Sequence, residues 1–289
     1  MRTVSLLSSA VVLLGYNTNG LTSHRLADAL ALLADEGYDA VALTPDVAHL
    51  DPMRASAREI DAVAHRVADL GLRPIIETGS RFVLDPRRKH RPNLLERDAQ
   101  ERALRLDFLR RHVEIAAAIG AEVVSLWSGA LPEHVRADEA REHLQRGLDE
   151  LLVDADRHSV VIGLEPEPGM WIETVEAATR VFEAQGRPDR LGLTLDVGHL
   201  LVTGEGTVHD VLTSSNMRLV QVHLEDMKPG IHEHLAPGRG DIDFAETFRA
   251  LQSSGYGGPV CWELSRSSHE APEVVRLCRD VFRSSLFST

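Results

Sequence analysis

Aromatic residues make up only 4% of this 289-residue chain, and there are two cysteines and two lysines. Each scarcity closes off a class of protein. Cys261 sits in an apolar run and Cys278 in a helical one, so they read as buried free thiols rather than a disulfide framework. No apolar stretch reaches the ~20 residues of a membrane span. The 31 basic and 44 acidic residues leave a net charge of −13, whereas nucleic-acid binding calls for a basic face. A Gly-rich phosphate loop is missing too. Gly15-Tyr16-Asn17-Thr18-Asn19-Gly20 lacks the required spacing, which weighs against a doubly wound open sheet. Met1-Arg2 and the apolar run toward Gly15 have the outline of a secretion leader. The Ser8-Ser9 break and the continuation into Tyr16-Asn17 fit a first strand and loop better. A cytoplasmic protein that contacts neither membrane nor nucleic acid is expected.

What is present is a regular alternation of short apolar runs and longer helical stretches, the pattern of βαβ units around a parallel sheet. The first four strands are expected at residues 10–15, 40–43, 73–77 and 122–127, with helices near 23–34, 56–70, 98–118 and 138–158. Four more strands are expected at 160–165, 191–196, 219–223 and 260–263, with helices near 174–184, 207–213, 244–252 and 272–287. Gly37, Gly71, Gly120 and Gly255 stand at helix-to-strand returns, where a C-cap needs positive φ. Eight units of about 30 residues fill the chain without remainder, which predicts an α/β fold, a (β/α)8 TIM barrel, as a single domain over residues 1–289.

The last four strands share a further property. Each stays apolar until its downstream end and then presents Glu165, Asp196, His223 or Glu263. In a parallel barrel these ends open onto one face, where active sites are built. Two Glu, one Asp and one His suit a hard or borderline divalent cation. One such residue is usually a solvated loop group; four in successive units are not easily explained that way.

The local sequences sharpen the pattern. Leu164-Glu165-Pro166-Glu167-Pro168, Asp196-Val197-Gly198-His199, Val222-His223-Leu224-Glu225-Asp226 and Pro237-Gly238-Arg239-Gly240-Asp241-Ile242-Asp243-Phe244 precede Trp262-Glu263 in that order. This set, densest from Val160 to Leu264, resembles the xylose-isomerase-like sugar phosphate isomerase/epimerase superfamily. The resemblance implies that Glu165, Asp196, His223 and Glu263 hold one divalent cation, whether Mn2+, Mg2+, Co2+ or Zn2+. It also implies that His199 contacts substrate, that Arg239 takes the part of a basic residue following the metal His, and that the chain forms homo-oligomers. The substrate would be a sugar, sugar acid or cyclitol. A cation chelated by a ketone oxygen and the neighbouring hydroxyl would stabilise an enediolate, with Glu165 and Glu263 placed to move the proton from opposite sides. Epimerisation, aldose–ketose isomerisation and dehydration of an inosose or dehydroshikimate-type compound all remain open, as does a non-catalytic sugar-binding barrel.

Other residues lie outside the shared set. Glu167 is two positions past Glu165 and on its side if the strand stays extended. Glu77 ends the third strand, where a polar substrate contact is expected. The cluster Asp85-Pro86-Arg87-Arg88-Lys89-His90-Arg91 is basic within an acidic chain. Arg88 and Lys89 are therefore candidates to bind an anionic substrate group, against the alternative of a solvated loop whose arginines pair with nearby acids. His232 and His234 lie in a stretch that in endonuclease IV supplies ligands to a multinuclear zinc site. The third and fourth strands end on Glu77 and Trp127-Ser128 instead of further histidines, so a single metal is expected, with His234 a substrate contact. Trp127, Trp171 and Trp262 are candidate sugar platforms, Trp262 more in keeping with core packing.

Overall fold

The structure, a computed structural model, describes residues 11–286. The strands are β1 (Leu13–Asn17), β2 (Ala40–Leu43), β3 (Arg73–Glu77), β4 (Val123–Trp127), β5 (Val161–Glu165), β6 (Leu191–Asp196), β7 (Leu219–Leu224), β8 (Asp226–Lys228), β9 (Ile231–Leu235) and β10 (Pro259–Trp262). Eight of them close into a parallel barrel in the order β1-β10-β7-β6-β5-β4-β3-β2, while β8 and β9 form a separate antiparallel pair. The α-helices are α1 (Leu26–Asp35), α2 (Ala57–Asp69), α3 (Ala99–Ile119), α4 (Ala137–His158), α5 (Val175–Ala184), α6 (Val197–Thr203), α7 (Val208–Ser214), α8 (Phe244–Ser253) and α9 (Ala271–Leu286). This is the expected (β/α)8 barrel. No helix among the described residues is long and apolar enough to cross a membrane.

Local chemistry sets the helix boundaries. Ser56 and Glu59 form a capping box at the start of α2, and Asp98 caps α3 through the amide of Gln100. Gly120 ends α3 at φ 78°, a left-handed conformation in which a side chain would be strained.

The expected first strand, residues 10–15, is corrected to Leu13–Asn17; Ala10 and the residues before it lie outside the described range. The barrel fixes the shift, because Leu13 pairs with Pro259 and Asn17 with Ala42. Val11, although apolar, is 67% exposed.

Inside the barrel, side chains change character along the strands. Ala40, Ala42, Ile75, Val123, Val161, Val220 and Cys261 form an apolar cluster toward the strand starts. Above it the residues are small or neutral polar: Ser125 donates to Thr194 at 2.9 Å, and Gln221 is fully buried. Gly163 keeps that layer thin, since a Cβ there would lie 2.2 Å from Thr194 Oγ1. Charge is confined to the downstream ends, where a mouth rather than the core receives it.

Candidate active site

Register brings the four strand-end residues to one place. Asp196 of β6 pairs directly with His223 of β7, and Glu165 closes β5 beside Trp127 of β4. Glu263, one residue beyond β10, continues the pairing by donating its amide to Leu224 O at 2.9 Å. One ligand atom from each of Glu165, Asp196, His223 and Glu263 lies within 4.8 Å of the others. The first three are buried and Glu263 is half-buried.

Each member is oriented by a neighbour. His223 Nδ1 is 3.0 Å from Glu165 Oε1 and 3.2 Å from Glu263 Oε2, so the imidazole sits between the two glutamates. Asn19 Nδ2 donates to Glu263 Oε1 at 2.8 Å. Asp196 doubles as the N-cap of α6, its Oδ1 accepting the His199 amide at 3.0 Å, while Oδ2 has no hydrogen-bond partner. Burial alone would depress the His223 pKa, but Glu165, Glu263 and Asp196 raise it to about 10. Burial opposes ionisation of Asp196, yet His199, His234 and His223 bring it down to about 2. Three carboxylates facing one imidazole, with a free Asp196 oxygen among them, form a donor set that fits a divalent cation in place of the proton.

Further titratable groups surround this centre. Glu77 is 3% exposed; burial and the charges of Glu263 and Glu165 raise its pKa to about 8. The Thr44 hydroxyl lies 3.1 Å from its Oε2. Burial, then Glu165, pushes Glu167 well above the usual carboxylate range. Glu225 is fully buried with neither oxygen bonded, and burial and Asp196 raise it likewise. A cavity of about 210 Å3 opens over the centre, with Asn19, Thr44, Glu77, Trp127, Glu165 and Glu263 among its walls.

Three histidines stand at one side. His199 Nδ1 lies 3.1 Å from Pro166 O and His234 Nδ1 lies 3.0 Å from Glu263 O. A carbonyl only accepts, so both Nδ1 atoms donate. The Nε2 atoms of both rings face His232 Nε2 at 3.1 and 3.3 Å. Burial, then His199 and His234, lowers the His232 pKa to about 4.

Two expected site residues lie elsewhere. Arg88 points away from the cavity, donating to Asp85 at 2.6 Å and to Glu101 of α3 at 2.7 Å. Those two carboxylates account for its orientation; Lys89, the next residue, lines the cavity instead. Arg239 is exposed and absent from the cavity wall, because the turn that carries it wraps around Asp226. That buried carboxylate accepts the amides of Gly238 and Gly240 at 2.8 Å and of Ile242 at 3.1 Å. The expected Glu77, Glu167, His199 and His234 do line the cavity. Of the tryptophans, Trp127 lines it, Trp262 is buried against Phe244 at 5.4 Å, and Trp171 faces an apolar groove beside α4 and α5.

Sequence reasoning passed over Asn19, Thr44, Arg81, His90 and Glu225. Glu225 had a signal, since it stands two residues past His223 and shares its side of an extended chain. His90 lay within the basic cluster, while Asn19, Thr44 and Arg81 had no signal, as their position depends on how loops fold over the mouth.

The family model described as a xylose isomerase-like TIM barrel matches residues 30–284. An L-ribulose-5-phosphate 3-epimerase of Shigella flexneri serotype 5b is 28% identical over 207 residues, covering 71% of this chain and 72% of that protein. A D-allulose 3-epimerase structure from Methylomonas sp. superposes with a TM-score of 0.76 at 18% identity, covering 96% of this chain and 99% of the other. The IolI protein with a bound zinc atom gives a TM-score of 0.76 at 20% identity, with 96% and 100% covered.

Proposed function

Since the chain belongs to the xylose isomerase-like TIM barrel family, we propose that it is a divalent-metal-dependent epimerase of a ketose. In this reading Glu165, Asp196, His223 and Glu263 are the metal ligands, and Glu165 and Glu263 also move the proton. The observation that carries it is the buried meeting of three carboxylates and one imidazole at the ends of β5, β6, β7 and β10. The relatives support it by name, as epimerases acting at carbon 3 of ketoses, and IolI supports a metal.

When bound, a divalent cation supplies Lewis acidity to a ketone oxygen and its neighbouring hydroxyl, easing removal of the proton from the carbon that bears the hydroxyl. The chain's own residues do the rest. Glu165 and Glu263 stand on either side of His223 Nδ1, so one carboxylate takes the proton and the other returns one to the opposite face. Asn19 occupies Glu263 Oε1 and leaves Oε2 toward the centre. His199 and Glu167 present polar atoms for the sugar hydroxyls, and Trp127 supplies an apolar wall.

The test is a set of ketoses incubated with Mn2+ in deuterium oxide. The expected product is the carbon-3 epimer carrying one deuterium, formed by the wild type and lost in Glu165→Gln and Glu263→Gln. A product lighter by one water would mean dehydration instead, and no exchange on any ketose would refute the reading.

A further inference from the structure

The cavity walls carry five carboxyl groups, Asp46, Glu77, Glu165, Glu167 and Glu263, yet also three cations, Arg81, Lys89 and Arg266. The cations are not equivalent. Arg266 is matched by Glu233 at 2.6 Å. Neither the Arg81 guanidinium nor the Lys89 ammonium has an ion-pair partner among the described residues. Other arginines of the chain, Arg88 and Arg91 on the same segment among them, hold carboxylates, whereas these two cations combine a free head group with a place in the cavity wall.

The loop bearing the two free cations is well tied down. The His90 amide donates to Arg81 O at 2.7 Å, bringing the two ends of residues 81–90 together. Arg88 fastens the loop to Asp85 and to Glu101 of α3. The His90 ring rests on Trp127 with centroids 4.9 Å apart, and its Nε2 is buried without a partner. Burial, then Lys89, Arg105 and Arg81, lowers the His90 pKa to about 3, so the ring adds no charge. Lys89 thus lies between a residue pinned outward and a residue packed against the cavity wall.

We propose that Arg81 and Lys89 form a subsite for a terminal phosphate on the carbohydrate substrate. Two unmatched cations suit a dianion, with the arginine fork giving paired hydrogen bonds and the lysine a point charge. The carboxylates of the floor repel the same group, so attraction at the rim and repulsion below fix which end of the substrate reaches Glu165 and Glu263. The inference rests on the epimerase reading for the place of reaction, but not for the binding of phosphate.

Two measurements test it. The first compares kcat/KM for a ketopentose 5-phosphate and the same ketopentose without phosphate. The wild type is expected to prefer the phosphorylated sugar, and Arg81→Ala or Lys89→Ala should each reduce that preference by about tenfold through KM, as for a lost charge-assisted hydrogen bond. Arg87→Ala, exposed on the same loop, should leave the ratio within about twofold, as surface substitutions do. The second is thermal stabilisation by inorganic phosphate, expected in the wild type and lost in the Arg81 and Lys89 variants.

Stabilisation lost in those variants without turnover of any ketose would support the subsite and refute the epimerase reading. Equal turnover of both sugars in the wild type, unaffected by Arg81→Ala and Lys89→Ala, would refute the subsite and leave the epimerase reading standing. A preference for a sugar acid over the phosphorylated sugar would overturn the phosphate assignment.

Discussion

The two halves of the barrel mouth carry different chemistry. The half built by β5, β6, β7 and β10 ends on Glu165, Asp196, His223 and Glu263, packed so that one ligand atom of each lies within 4.8 Å of the others. The half built by β1 to β4 ends on neutral or weakly acidic groups: Asn17, Thr44, Glu77 with its pKa near 8, and Trp127. Crowding of like charge is costly without a counter-ion, so the first half fits a cation and proton movement. The second half is hydrogen-bonded within itself, as Thr44 shows by donating to Asn17 Oδ1 at 2.7 Å, and it carries the loop with Arg81 and Lys89. In the proposed reading, proton movement belongs to the first half and phosphate recognition to the second.

Substitution on each side gives the sharpest contrast. If Glu263 moves the proton as proposed, Glu263→Gln should lower kcat by about 10²–10⁴-fold, the usual worth of general acid–base catalysis. Glu77→Gln keeps the shape and the hydrogen-bonding capacity of a group that is already largely protonated near neutral pH, and kcat should fall by less than about tenfold, within one lost neutral hydrogen bond. Steady-state kinetics on an epimerised ketose decides; equal losses would erase the distinction.

A stability measurement reaches beneath the charged half. A Cβ on Gly198 would lie 1.9 Å from Glu225 Oε1 and 2.7 Å from Met227 Cε, both residues buried. Gly198→Ala should therefore cost about 1–3 kcal/mol by overpacking, read as a lower midpoint in urea. An unchanged midpoint would mean that the support behind Asp196 is looser than the structure shows.

A third effect is expected on pH dependence. His223 and Glu77 both have folded pKa values above their unfolded ones, about 10 against 6.5 and about 8 against 4.5. The folded state then holds more protons, and stability falls as pH rises. In metal-free protein, the contribution of His223 is present below pH 6.5 and lost through pH 10. The Tm of metal-free wild type should decline from pH 6 to 9, and His223→Gln should flatten the decline. Stabilisation by Mn2+ should grow over the same range as the competing proton leaves.

How much of this was legible in the sequence differs between the halves for the same reason. Barrel strands buried on both faces read as continuous apolar runs, so their number and the residues ending β5, β6, β7 and β10 stood out. The downstream ends of β1 and β2 did not, because Asn17, Asn19 and Thr44 are ordinary loop residues until tertiary pairing sets them against Glu77 and Glu263. The β8–β9 pair also escaped notice, being only three and five residues long with no strict alternation. The short α6 escaped too, since its N-cap, Asp196, is the last residue of a strand. The basic cluster was visible, but not which of its cations faces the cavity, because Glu101, which holds Arg88 outward, lies thirteen residues further along.

The most direct test of the central claim is the metal content of purified protein, by elemental analysis, beside that of His223→Ala and Glu165→Gln. About one divalent ion per chain in the wild type, lost in both variants, is the result expected of one site shared by four strand ends. No metal in any of the three, with no thermal stabilisation of the wild type by Mn2+ or Co2+, would contradict it.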